Sequence, residues 1–241
     1  MNFVRNSIKV SHEVVVKEDK GADQMTEHFN TVDEAIAALQ AGKFIILADD
    51  ESRENEGDLV ALGQNITPQT VYQMLKLANG LMCVPISAGI AEKLGFKMMV
   101  KHSTDPNGTP FMVTTDASFD AAGVTTGVSA FDRAATINLI ADAQATPNQF
   151  NHPGHIQPLI AEERGVRART GHTEAAVDLA YLAGKAPVAV IIEVLKPDGH
   201  MARRPELTQL AAEQHVPFIT IPQIKAYLDD HGIEYAAQLA K

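Results

Sequence analysis

The run PVAVIIEVL at residues 187–195 constrains this chain more than any other stretch. It is rich in β-branched residues, a composition that suits a pleated strand far better than a helix. One member breaks the pattern. Glu193 is the only charge in the run, and a carboxylate set in an apolar strand needs a partner or a chemical role. Short apolar runs recur in FIILADD (44–50), LMCVPI (81–86), PFMVTTDAS (110–118) and the tail segment 216–221, and each reads as a strand.

Helix signals alternate with these strands. Thr31 and Glu34 fit a capping box, Ile36 and Leu39 follow at helical spacing, and Gly42 supplies a stop. Thr67 caps a second helix with Pro68 as its first residue and Gly80 as its expected terminator. Ser129 and Asp132 open a third, which runs through Arg133, Ile137 and Ile140; another begins near Gly171 and stops at Gly184. Residues 205–215 and 222–232 read as the last two. In a chain of 241 residues this alternation indicates one α/β-type domain built on a central sheet, spanning residues 30–241. Residues 1–29 stand apart. They are polar and weakly periodic, and are expected to form a loosely ordered N-terminal extension with one short strand near residues 14–16.

Composition narrows the class. With 30 acidic against 20 basic side chains the net charge is −10, which disfavours a nucleic-acid partner. No apolar run reaches the roughly 18–20 residues of a membrane span, and the first residues lack the apolar core of a secretory signal. The single Cys83 excludes an internal disulfide and a paired-CxxC zinc site. A soluble, cytoplasmic protein is expected.

Six carboxylates crowd residues 49–58 (DDESRENEGD), where a buried strand empties into a loop. Carboxylates this close repel one another unless a cation or solvent compensates. A solvated acidic turn is the plain alternative, but the cluster follows directly on FIILA and carries Arg53 in its middle. Hard oxygen donors of this kind suit Mg²⁺ or Mn²⁺. A calcium EF-hand fails by register, since neither Glu54 at the sixth position nor Val60 at the twelfth fits that loop. RTGHTE (169–174) heads a helix and offers unpaired N–H groups with an Arg and a Thr, a natural phosphate site, although an ordinary capped helix with a surface histidine would read the same. NHPGH (151–155) places two histidines about a Pro-Gly turn, where one could transfer protons or both could be surface residues. Cys83 reads as a core thiol, and GVTTGVSAFDRA (123–134) is weak as a phosphate loop, matching neither a P-loop nor a dinucleotide fingerprint.

Together these segments resemble the 3,4-dihydroxy-2-butanone 4-phosphate synthases of riboflavin biosynthesis. DDESRENEGDLV is similar to that family's acidic loop, GVTTGVSAFDR to its threonine turn and NHPGHIQPL to its histidine loop. RTGHTEAAVDLAYLAG is similar to its phosphate and metal helix, and VAVIIEVLKPDGHMAR to its Glu-bearing strand. The likeness runs in order from about residue 31 to 228. It implies conversion of D-ribulose 5-phosphate into 3,4-dihydroxy-2-butanone 4-phosphate and formate, with two Mg²⁺ or Mn²⁺ ions per site and homodimers whose sites lie at the subunit interface. It also implies an α+β fold with α/β-type layering: a single three-layer domain whose central mixed, twisted sheet is flanked by helices.

By matching motifs, the resemblance makes Glu54 a ligand to both metal ions and His172 to one, both beside the substrate. Arg53, Asp58 and Glu193 would contact the sugar, and Arg169, Thr170, Gly171, His172 and Thr173 the phosphate. His155 would be the essential histidine, within an acid–base pool of Asp58, Glu56, His155 and Glu193. His152 stands where an Arg is expected, Thr170 stands at an often small position, and the N-terminal extension is longer than usual. From length and the missing zinc cysteines, a monofunctional form without a fused cyclohydrolase domain is expected. Two rival readings stand beside it. One is a metal-dependent sugar-phosphate isomerase or aldolase, which would release no formate. The other is an inactive paralogue with a regulatory or binding role, against which the retained Arg53, Glu54, Asp58, His155, His172 and Glu193 argue.

Overall fold

The computed structural model describes residues 29–233. The N-terminal extension, with the strand expected near residues 14–16, lies outside the described residues but for Phe29, which packs edge-on against Phe218.

The first helix, α1 (Val32–Gln40), carries the full capping box: the Thr31 hydroxyl accepts from the Glu34 N–H, and the Glu34 carboxylate accepts from the Thr31 N–H. Such a cap contributes about 1 kcal/mol. Strands β1 (Ile45–Ala48) and β2 (Gly57–Leu62) form an antiparallel hairpin, and the acidic segment is its turn. There follow α2 (Pro68–Ala78), β3 (Cys83–Ile86), α3 (Ala88–Lys93), β4 (Thr115–Ala117), α4 (Phe119–Ala122), α5 (Ala130–Ile140) and β5 (Phe150–Ile160). The described residues end with α6 (His172–Leu182), β6 (Ala189–Glu193), α7 (Arg204–Gln214), β7 (Phe218–Thr220) and α8 (Ile221–Asp230).

The seven strands form one sheet in the order β4-β5-β3-β6-β2-β1-β7. It is mixed, with β1/β7 and β3/β5 parallel and the other pairs antiparallel. Alternate side chains feed two cores. On one face Ile46, Leu59, Val84, Val190 and Ile192 pack under α2, α5 and α7, through Met74, Ile137 and Leu207. On the other, Ile45, Leu47, Val60, Cys83 and Ile191 pack under α1, α6 and α8, through Leu39, Leu179 and Leu228. This is a three-layer domain. Leu39 and Leu59 are 1% and 0% exposed, so truncating either to Ala would cost roughly 2–5 kcal/mol.

Three local readings are corrected. The left-handed terminator of α2 is Asn79 (φ 63°) rather than Gly80. The run 110–118 contributes a strand only over Thr115–Ala117, while Phe111 and Met112 make single bridges to Leu159 and Met98. The histidine segment is the bulged start of the long strand β5 rather than a free loop. Thr115 pairs with Ile156 and Asp116 with Asn151, so residues 152–155 have no register partners on β4 and form a bulge. Gly154 permits the approach, because a Cβ there would collide with the Thr115 and Asp116 main chain.

Candidate active site

The site grows from one end of the sheet, where β1 stops, β2 starts and β6 stops. Asp49 follows β1 and is 1% exposed. Its carboxylate accepts from the Arg53 guanidinium at 2.9 Å, the Glu54 N–H at 3.0 Å and the Glu56 N–H at 2.9 Å. One buried acid thus gathers the acidic loop around itself. Asn55 takes a left-handed conformation (φ 52°) to close the turn, and Arg203 at the start of α7 donates to the Glu54 and Asn55 carbonyls. Arg53 also meets the Glu54 carboxylate at 2.6 Å.

Register delivers the next two acids. Asp58 on β2 pairs directly with Glu193 on β6, so both project from the same face. Glu193 finds its partner in the Leu81 N–H, 2.8 Å from one carboxylate oxygen. Asp58 is 2% exposed, and burial, followed by the charges of Glu193 and Glu56, pushes its pKa well above the carboxylate range. Burial first, then Glu54, also raises Glu56.

Helix α6 places His172 over this group. Burial lowers its pKa, opposed by the nearby acids Asp49 and Glu54. His172 Nε2 and Asp58 Oδ1 lie 3.9 Å apart, and both are buried without a hydrogen-bond partner. Two facing polar atoms left in this state are costly unless something binds between or beside them. Asp49, Glu54 and His172 each bring one donor atom to within 4.8 Å of the others. Carboxylate oxygens with one imidazole nitrogen fit a divalent cation such as Mg²⁺ or Mn²⁺.

The N-terminus of α6 borders the same pocket. Gly171 is its N-cap and offers no side chain, which leaves the first N–H groups for an anion. Arg169 lies across this end, held by the fully buried Glu174 at 2.8 Å and by the Asn107 carbonyl at 3.2 Å. Asn107 also donates to Glu54 at 2.8 Å. It thereby straps the 97–110 loop across both ends of the pocket.

The cleft brings together Arg53, Glu54, Glu56, Asp58, Arg169, His172, Thr173 and Glu193. Thr170 and Gly171 sit at the helix start without lining it. Cys83 lies on the floor, its thiol pushed up by burial, as a core residue.

His155 is not among the lining residues. It lies on β5, two strands from β6 with β3 between them. Its Nδ1 is 2.7 Å from Asp116 Oδ2, and its own N–H donates to Asp116 Oδ1 at 2.9 Å. His152 contacts the Thr114 carbonyl at 3.3 Å and stands edge-on to Phe96. Sequence reasoning missed Asp49 as an anchor, along with Asp116 and Asn107. Asp116 ends an apolar run much as Glu193 interrupts one, and that was its only signal.

A family model described as 3,4-dihydroxy-2-butanone 4-phosphate synthase matches residues 33–227. The chain belongs to the 3,4-dihydroxy-2-butanone 4-phosphate synthase family. Among curated relatives, the riboflavin biosynthesis protein RibBA of Bacillus cereus (strain AH187) is 48% identical over 203 residues, covering 84% of this chain and 50% of that protein. RibBA of Phocaeicola vulgatus is 48% identical over 198 residues, covering 82% and 48%. The chain therefore spans about half the length of the curated relatives it matches. A solved synthase of this family in complex with two magnesium ions superposes with a TM-score of 0.80 at 37% identity, covering 85% of this chain and 99% of that one. The two-domain RibBX synthase of A. baumannii gives a TM-score of 0.79 at 40% identity over 83% and 58%. Family membership accounts for the order of the five motifs and for the mixed sheet.

Proposed function

We propose that this chain converts D-ribulose 5-phosphate into 3,4-dihydroxy-2-butanone 4-phosphate and formate, acting as a metal-dependent lyase. The observation that carries the reading is the facing pair Asp58 Oδ1 and His172 Nε2, buried and unpartnered 3.9 Å apart beside a cluster of carboxylates. In this reading Glu54 would hold two Mg²⁺ or Mn²⁺ ions and His172 one of them, with Asp49 fixing the loop that presents Glu54. Bound cations would supply stabilisation for negative charge that develops on the sugar oxygens.

The remaining roles belong to side chains. Arg53, Asp58 and Glu193 orient the sugar hydroxyls. Asp58 and Glu56, whose raised pKa values bring them nearer neutrality, are suited to exchange protons with carbon and oxygen atoms of the substrate. Arg169, Thr173 and the N–H groups after Gly171 hold the phosphate, with Thr170 at the rim; Arg169 would give up part of its contact with Glu174 or Asn107 to do so. Glu193 and His155 complete the acid–base set.

His155 stands beside the pocket rather than in it, which favours a homodimer that builds its sites at the interface. The large apolar side chains left exposed on neighbouring helices support this: Tyr72 on α2, Phe119 on α4 and Phe131 on α5 are 61%, 68% and 68% exposed. The extension at residues 1–29 is proposed as an appendage outside the catalytic domain. A cytoplasmic setting is proposed as well; among the described residues no helix is long and apolar enough to cross a membrane.

The test is incubation with ribulose 5-phosphate and Mg²⁺ followed by formate measurement. Stoichiometric formate, abolished by chelator and restored by Mg²⁺ or Mn²⁺, is expected. Consumption without formate would point to isomerase or aldolase chemistry and overturn the reading.

A further inference from the structure

Helix α6 begins without a side-chain cap, since Gly171 has none to offer. Glu174 stands at the third helical position, where a glutamate ordinarily turns back to the N–H of the cap residue. It turns to Arg169 instead. Its side chain is fully buried, with Oε2 2.8 Å from Arg169 Nη1 and Oε1 accepting from the Glu162 N–H at 3.3 Å. Gly171 makes room for this pair as well as baring the helix start: a Cβ there would collide with both Arg169 Nη1 and Glu174 Oε2. The ion pair therefore lies across the end of α6 that borders the cleft.

A buried negative charge beside a phosphate site needs a reason, because it repels the ligand. Stapling the segment after β5 is a poor one. That segment has a separate anchor one turn further along α6, where Asp178 accepts from the Val166 N–H at 2.9 Å. Arg169 gives the better account. Its side chain keeps 21% of its surface open and lines the cleft beside His172 and Thr173. An arginine free in solvent must surrender rotamer freedom to grip an anion, whereas one tied to a buried carboxylate has done so on folding. The guanidinium has several N–H donors to share. One goes to Glu174 and one to the Asn107 carbonyl at the longer distance of 3.2 Å, so the contact to Asn107 is the one a phosphate would replace.

We propose that Glu174 is a positioning residue that holds the Arg169 fork across the start of α6, so that the remaining guanidinium donors and the helix N–H groups converge on one phosphate. This rests on the assignment of Arg169 to the substrate phosphate. Because the carboxylate cancels the charge of the arginine, the pair draws phosphate by directed hydrogen bonds. Each partner alone is a worse receptor: Arg169 unheld loses its aim, and Glu174 unpaired repels the anion. The effects of removing them should therefore not add.

The experiment uses the full chain. Glu174→Gln keeps an oxygen that can accept from Arg169, whereas Glu174→Met keeps the bulk without that acceptor. Both remove the charge, so their difference isolates the hydrogen bond. Each is made in the parent and in Arg169→Ala. ³¹P NMR titration with inorganic phosphate, without metal, gives affinity; formate release from ribulose 5-phosphate with Mg²⁺ gives kcat and KM. Glu174→Met should weaken phosphate binding and raise KM by roughly tenfold, with kcat changed only a few-fold, and Glu174→Gln should lose less. In Arg169→Ala, itself a weak phosphate binder, Glu174→Met should cause no further loss and restore part of the affinity. Equal losses in the Gln and Met variants, or a Glu174→Met loss of the same factor with and without Arg169, would overturn the inference and leave Glu174 as a structural acid of α6. Unchanged phosphate affinity and KM in Arg169→Ala would overturn the assignment of Arg169 itself, and the inference with it. Should Glu174→Met fail to fold, Glu174→Gln decides: a loss seen only with Arg169 present is expected, and no loss, or the same loss in both backgrounds, overturns the proposal.

Discussion

Two buried aspartates near the same end of the sheet live in opposite circumstances. Asp132, 7% exposed at the start of α5, collects three donors from the threonine turn, and these hydrogen bonds hold its pKa below the usual range. Asp58, 2% exposed on β2, faces Glu193 and has one oxygen with no partner, and its pKa is driven well above that range. One carboxylate is satisfied by the chain around it. The other is left wanting a ligand, in a pocket lined by three further carboxylates. A protein tolerates the second arrangement where binding compensates for it, so the contrast separates a structural acid from one proposed to act on substrate.

The comparison can be broken at three places. The largest effect should come from the metal cluster: Glu54→Gln removes a proposed cation ligand, and formate release should fall by roughly 10³-fold or more while Tm stays within a few degrees, because Glu54 lies in a loop. Titration calorimetry with Mg²⁺ should show affinity lost in the same variant. Near-normal turnover and affinity would remove Glu54 from the site.

On the structural side, Asp132→Ala should leave Mg²⁺ affinity unchanged while costing about 1–3 kcal/mol, a Tm drop of roughly 3–10 °C, because the Thr125 and Gly127 donors lose their acceptor. A variant that melts normally but no longer binds Mg²⁺ would reverse the assignment of the two acids.

The smallest effect distinguishes them by pH. A carboxylate whose folded pKa is raised binds more protons when folded, so its contribution to stability is present at acid pH and lost as pH rises toward that raised value. A lowered pKa gives the reverse, with stability present above the ordinary range and lost as pH falls through the folded pKa. His172, its pKa lowered by burial, opposes Asp58 below its own ordinary value. The readout is therefore a difference between proteins at one pH. Without Mg²⁺, Asp58→Asn should gain on the parent by a few degrees of Tm between about pH 5 and pH 8. Asp132→Asn should fall behind the parent at neutral pH and recover toward it below about pH 4. Parallel curves in both variants would erase the contrast.

Legibility followed the distance over which each signal acts. The capping box of Thr31 and Glu34, the Thr67–Pro68 start and the Ser129 cap are written within a few residues, and each appears in the structure as read. The apolar run 187–195 also forms a strand, over the shorter span Ala189–Glu193. β2 was hidden because it follows five carboxylates without a break and itself carries a sixth, Asp58. β5 was hidden because Pro153 and Gly154 signal a turn, and a bulge lets the strand carry both.

The chain by itself determined the layered α/β pattern, the acidic loop, the anion-ready helix start at Gly171 and the family they belong to. Local hydrogen bonding and side-chain periodicity encode those features directly. Only the tertiary structure decided which carboxylates are satisfied. Asp116 meets His155 across 39 positions of sequence, and the Leu81 N–H meets Glu193 across 112. Asp58 and His172 face each other without a hydrogen bond. Whether a buried acid is paired depends on which strand lies beside it, and strand order is set by packing the two cores rather than by any residue near the acid.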